Sequence, residues 1–146
     1  MDRSYAAANT RSRERLNELV DRMSHKDLNR ALSDGWTIAA MLAHLAFWDY
    51  RALVLLGKWE SEEVQYSPID PDIINDAMQP LCRALPPHEA VRLVVEAAEA
   101  VDRKLETLRP GVLSRIVQDG APINVKRSEH REQHLVQIEN ALKRLD

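Results

Sequence analysis

Hydrophobic positions recur every three or four residues along most of the chain. Leu16, Leu19, Val20 and Met23 fall at i, i+3, i+4 and i+7, while Arg11, Arg13, Glu14, Arg15 and Glu18 fill the other faces. That pattern predicts a first amphipathic helix over 3–23, with the arginine cluster as a solvated face. A second helix is predicted from Trp36 to about Leu56, with Thr37 as its cap and Gly57 as its stop. Ile38, Leu42, Leu45 and Ala52 form one of its stripes; Met41, His44, Trp48, Arg51 and Leu55 form the adjacent one. Pro71 can open a short helix to about Ala84, strained at Pro80. The most regular stripe, Val91, Val94, Val95, Ala98, Val101, Leu105 and Leu108, predicts a third main helix from Pro87 to Leu108. Leu135, Ile138, Leu142 and Leu145 mark a fourth, from about Asn124 to Leu145.

The segments between these helices are polar. Residues 24–35 read as a connection with one turn around Lys26-Asp27-Leu28. Residues 58–70 are too long for a simple link between antiparallel neighbours. Pro110-Gly111 ends the third main helix, and Asp119-Gly120 is a turn signal that joins two short strands or reverses the chain. Four amphipathic helices with one long connection predict an all-α fold, a four-helix bundle forming a single domain over 1–146.

Composition narrows the function classes. Glycine is scarce, with 4 in 146 residues, which suits helix. A net charge of -3 leaves no nucleic-acid footprint. One cysteine, Cys82, rules out an intrachain disulfide framework. No apolar leader opens the chain and no run approaches the roughly 18 apolar residues of a membrane span, so the expected setting is the cytoplasm.

The candidate chemistry lies in Glu129-His130-Arg131-Glu132-Gln133-His134. Two histidines four residues apart share a helix face, about 6 Å apart along the axis, so one divalent metal can take both imidazoles. The pair departs from the H-E-x-x-H protease motif, because Arg131 stands where that motif needs glutamate. Alone it is a weak signal, and two core-edge histidines are the ordinary alternative. A bundle could bring His44 from the second helix to meet it. Three neutral imidazoles leave coordination positions open, the arrangement of a catalytic rather than a structural site. The ring nitrogens not used for metal should find acceptors. Trp48 and Arg51, one and two turns beyond His44, are candidate pocket residues. His25 and His88 sit in polar segments and are not expected to be ligands. No catalytic base is nominated: Glu129 and Glu132 project from other angles of the helix.

The stretch Trp36-Thr37-Ile38-Ala39-Ala40-Met41-Leu42-Ala43-His44-Leu45-Ala46-Phe47-Trp48-Asp49 resembles the W-T-x-x-x-x-L-x-H-L-x-x-W-D segment of the DinB/YfiT-like family. Asn75 matches that family's asparagine before the third main helix, and His130-x-x-x-His134-x-x-x-Ile138 matches its C-terminal signature. The similarity spans nearly the whole chain, except residues 110–126. It implies a bundle with an up-down-down-up path and a long crossover between the second and third main helices. It also implies a divalent metal, Zn, Ni or Fe, held by His44, His130 and His134, and a homodimer. Family members of known activity include thiol-dependent transferases and a maleylpyruvate isomerase. The resemblance therefore implies a metal-dependent enzyme acting on a small molecule, with a low-molecular-weight thiol as cosubstrate. Metal-dependent hydrolysis and a non-enzymatic, stress-related helical dimer are the alternatives.

Overall fold

The computed structural model of the chain describes residues 3–65, 67–118 and 123–144. The fold is all-α. Among the described residues it has seven helices: α1 (Tyr5–Arg22), α2 (His25–Leu28), α3 (Ile38–Ser61), α4 (Pro71–Ala84), α5 (Pro87–Thr107), α6 (Pro110–Gln118) and α7 (Arg127–Lys143). The pairing outside them is one isolated bridge between Ala31 and Thr37. The long α3 packs most extensively on α5 and also touches α4 and α7; α1 packs on α7 and α5.

Local chemistry sets the helix starts. Ser24 and Asp27 form a reciprocal capping box that makes α2 from the expected turn. Thr37 Oγ1 accepts from Ala40 N at 3.0 Å to open α3. Asp70 caps α4, whose first residue is Pro71. α4 then runs through Pro80, which is exposed, to Ala84.

Three sequence expectations are corrected. Gly57 does not stop the second helix, which continues to Ser61. A Cβ at Gly57 would meet nothing within 4 Å, so this glycine answers no steric demand. The extra turn is held by Trp59, buried in a cluster with Leu56, Leu105, Leu108 and Leu113, and by Lys104 Nζ donating to Glu60 at 3.0 Å. The crossover is accordingly shorter, 62–70. Second, the linker after Pro110 is not hairpin-like over its first half. It forms α6, because Leu113 and Ile116, at i and i+3, are both buried against that same cluster. Asp119-Gly120 lies outside the described residues, as does Leu145. Third, the arginine face of the first helix is not simply solvated. Arg13 donates to Asp102 on α5 at 3.1 Å, and Arg15 pairs with Glu132 and Glu139 on α7.

The apolar run is also longer than expected. An 18-residue window of α3 has mean hydropathy 1.3, enough to cross a bilayer by length and composition, yet 61% of it is buried within the protein. α3 serves here as the central core helix.

The core is divided in two. One cluster gathers Leu16, Leu19, Ile38, Leu42, Leu45, Val94, Leu135 and Ile138. The other gathers Tyr5, Ala52, Leu56, Trp59, Val101, Leu105, Leu113 and Ile116. Between them along each long helix lie buried polar residues: Asn9 and Ser12 on α1, Asp49 on α3, Asp102 on α5, and Arg127, Ser128 and Arg131 on α7. Arg131, 1% exposed, is the hub. Its Nη1 and Nη2 donate to the two oxygens of Asp102 at 2.9 and 2.7 Å. Nη2 also reaches Asp49 at 3.3 Å, and Nη1 reaches Asn9 O and Ser12 Oγ. Asn9 Oδ1 in turn accepts from Ser128 N at 2.9 Å. Burial disfavours the Arg131 charge, but the Asp102 hydrogen bonds and the charges of Asp49 and Asp102 outweigh it and raise its pKa. This layer joins four helices at one level and sets the register of α7 against α3.

Candidate metal centre

That register brings His44 from α3 to His130 and His134 from α7. Arg131 is flanked by the two α7 histidines' turns, so anchoring it orients both. His44 Nε2 lies 3.3 Å from His130 Nε2, and one ring nitrogen from each of the three residues lies within 4.8 Å of the others. The rings meet edge to face, with centroids 5.3 Å apart for His44 and His130, 5.1 Å for His44 and His134, and 4.9 Å for His130 and His134.

Electrostatics keeps these rings neutral. Burial, then the charge of His134, lowers the His44 pKa to about 4. Burial, then His134, His44 and the Arg127 and Arg131 charges, lowers that of His130 to about 3. Burial also lowers that of His134, partly offset by Gln137. Each ring therefore keeps a lone pair at neutral pH, which a metal requires. His134 Nδ1 lies 3.0 Å from Gln137 Oε1. That oxygen can only accept, so Nδ1 carries the proton and Nε2 is left as the ligand atom. The expectation of acceptors behind the rings is thus met at His134. It is not met at His44, whose Nδ1 is buried without a partner among the described residues. Two nitrogens on a tetrahedral zinc with bonds of about 2.0–2.1 Å stand about 3.4 Å apart. The 3.3 Å between His44 and His130 fits that spacing, and so does the donor set.

The triad opens into a cavity of about 720 Å³. Trp36 and Trp48 flank His44, with centroids at 5.5 and 6.5 Å. Trp48 Nε1 donates to Asn75 Oδ1 at 3.0 Å, so the asparagine singled out in the sequence holds the cavity wall. Trp36 is seated by the turn before α3, where Gly35 has φ +83° and a Cβ would come within 3.2 Å of Gln79. Arg51 does not line this cavity. It lines a smaller one with Phe47, Tyr50 and Ser67, donates to Ser67 O at 3.0 Å and sits 5.9 Å from the Trp48 ring centroid. His25 and His88 lie apart from the triad, both exposed.

A sequence model of the DinB superfamily matches residues 8–138, nearly the whole of the fold just described. The chain belongs to the DinB superfamily. No curated protein and no solved structure matches it. The family assignment and the three-histidine group together fit a metal-binding DinB protein.

Four residues of this DinB protein's site surroundings escaped the sequence reading: Asp49, Asp102, Arg127 and Arg131. Arg127, 7% exposed, lines the cavity and donates from Nε to Asp49 Oδ1 at 2.9 Å. One signal was available. Asp49 closes the W-D pair of the family segment, and an aspartate on the core side of an apolar helix calls for a buried cation. Gln137, three residues after His134 on the same face, was legible by spacing alone.

Proposed function

We propose that this chain is a divalent-metal enzyme that transfers or isomerises a small molecule with a low-molecular-weight thiol as cosubstrate. His44, His130 and His134 hold the ion. The observation that carries this reading is the convergence of three neutral imidazoles on the wall of a cavity large enough for a small ligand. Imidazole donors suit zinc, nickel or iron. An ion bound there lowers the pKa of a coordinated thiol, and the thiolate is the reactive form.

The chain's own residues support thiol chemistry over hydrolysis, which needs a carboxylate or similar base beside the metal. Glu129 accepts from Asn124 Nδ2 at 2.7 Å and Glu132 pairs with Arg15, so both are engaged elsewhere. Among the described residues lining the cavity, Asp34 is the one carboxylate, and it is exposed. Gln137 holds the His134 ring, Trp36 and Trp48 supply apolar walls, and Asn75 fixes Trp48. The cavity beside the triad favours this reading over a purely structural helical dimer.

The wider architecture in this reading is an up-down-down-up four-helix bundle of α1, α3, α5 and α7, with α4 on the crossover. The protein works in the cytoplasm as a homodimer. The test is metal content per chain, by elemental analysis of untagged protein, across five variants. His44→Ala, His130→Ala and His134→Ala should each lose most of the metal, while His25→Ala and His88→Ala keep it. Full occupancy in His44→Ala together with loss in His130→Ala overturns the three-histidine site.

A further inference from the structure

Arg127 stands in the first turn of α7, three residues before His130, so the two side chains share a helix face with a rise of about 4.5 Å between them. It is buried, it lines the triad cavity, and it carries a charge that burial makes costly unless its donors are matched. Its partners are few. Nε donates to Asp49 at 2.9 Å and Nη1 to Asn124 O at 3.3 Å. Among the described residues Nη2 has no acceptor, and it is not one of the sealed unsatisfied atoms, as Arg131 Nε is. Arg131, four residues on, shows the contrast: its Nη1 and Nη2 reach five different residues. Binding α7 to α3 accounts for Nε of Arg127, Asn124 O takes one Nη1 hydrogen, and Nη2 is left without an acceptor among the described residues.

Charge points the same way. The buried layer balances Arg127 and Arg131 against Asp49 and Asp102, and half-buried Arg13, paired with Asp102, adds a third positive group at its edge. The positive charge of Arg127 also acts on Arg51, whose pKa burial and then Arg127 lower.

We propose that Arg127 is an anion anchor: its Nη2 edge binds the carboxylate of a short-chain acid whose reactive group lies at the histidine triad. Guanidinium recognises carboxylate with parallel N–H donors, and a desolvated site strengthens the contact. The one-turn offset from His130 limits the acid to a few carbons between carboxylate and reacting atom. Trp36 and Trp48 cover the apolar part. This rests on the reading of the triad cavity as the reaction site. Either the thiol cosubstrate or its acceptor could bring the carboxylate, and the experiment separates them.

The full-length protein, once stripped with chelator and once loaded with zinc, is titrated calorimetrically with two matched pairs. 3-Mercaptopropionate and 3-mercaptopropionamide represent the thiol; crotonate and crotonamide represent an electrophilic acceptor. In each pair the acid and amide are near-isosteric and differ in charge. The expected result is an acid at least tenfold tighter than its amide in one pair or both, already without metal. The pair that shows it identifies which molecule carries the carboxylate. Arg127→Gln should abolish the preference, Arg127→Lys should keep part of it, and the surface variant Arg92→Gln should leave it intact. Equal affinity for acid and amide in both pairs, or no binding of either acid, overturns the proposal. So does a preference that survives in Arg127→Gln, including one that appears only with zinc, since the metal then holds the carboxylate. If Arg127→Gln does not fold, the wild-type ratios and Arg127→Lys decide. Failure of wild-type protein to bind zinc would count against the metal-enzyme reading alone, because the acid preference is read separately in stripped protein.

Discussion

A histidine is a ligand when neutral and a repelling cation when protonated, so the triad ties stability to pH at the scale of single residues. In the metal-free protein the folded pKa values of His44 and His130 lie near 4 and 3, below the unfolded value of about 6.5. The unfolded chain therefore takes up protons first as pH falls. Stability from these groups is fully present above about pH 6.5 and is lost as pH drops toward 4, at up to about 1.4 kcal/mol per pH unit for each histidine. Urea unfolding in chelator at pH 7.5, 6.0 and 5.0 should show this fall. Replacing His130 with glutamine should flatten the slope. An unchanged slope in that variant would mean other groups control the acid limb.

At the scale of elements, two helices carry features that propensity alone does not explain. α3 accepts Gly57 in its interior because Trp59, two residues later, is buried. Glycine there loses backbone entropy without answering any contact, so Gly57→Ala should stabilise the protein by about 0.5–1 kcal/mol. Chemical denaturation checks it, and destabilisation would show that the helix does not run through this point. α7 carries a charged hub, Arg131, at the level where α1, α3 and α5 carry Ser12, Asp49 and Asp102. Arg131→Met removes the bidentate partner of Asp102 and one partner of Asp49, and breaking a buried pair in this way costs about 3–5 kcal/mol. A loss below about 1 kcal/mol in urea titration would mean that the layer is not what joins the helices.

For the whole molecule, the polar layer and the metal centre are adjacent parts of one arrangement. The layer fixes α7 against α3, and the triad sits one step along the same two helices. Part of the surface stays apolar: Phe47 and Val54 on α3 are exposed, at 40% and 58%. A homodimer gives such residues a partner. Sedimentation equilibrium at tens of micromolar should return twice the chain mass of 16.7 kDa, and a monomer there would count against the dimer.

Features set by near neighbours along the chain were legible before the fold was known. Apolar spacing near 3.6 marked the long helices, Thr37 placed the start of α3 and Pro71 that of the short α4, because these signals act within one turn. The shared face of His130 and His134 followed from spacing in the same way. The meeting of His44 with that pair was legible through the bundle pattern and the family segment. The remainder depends on contacts between residues far apart in the chain. Arg131 joins Asp102 and Asp49 across 29 and 82 residues, and Ser128 joins Asn9 across 119. No local rule says which surface-type residue will be buried, because the cost of burying a charge is cancelled by partners remote in sequence. α6 and the last turn of α3 were missed for the same reason. Each is held by a cluster contributed by several helices: packing overrode the break that Gly57 argued for, whereas the third main helix does end before Pro110 and the chain then re-enters helix.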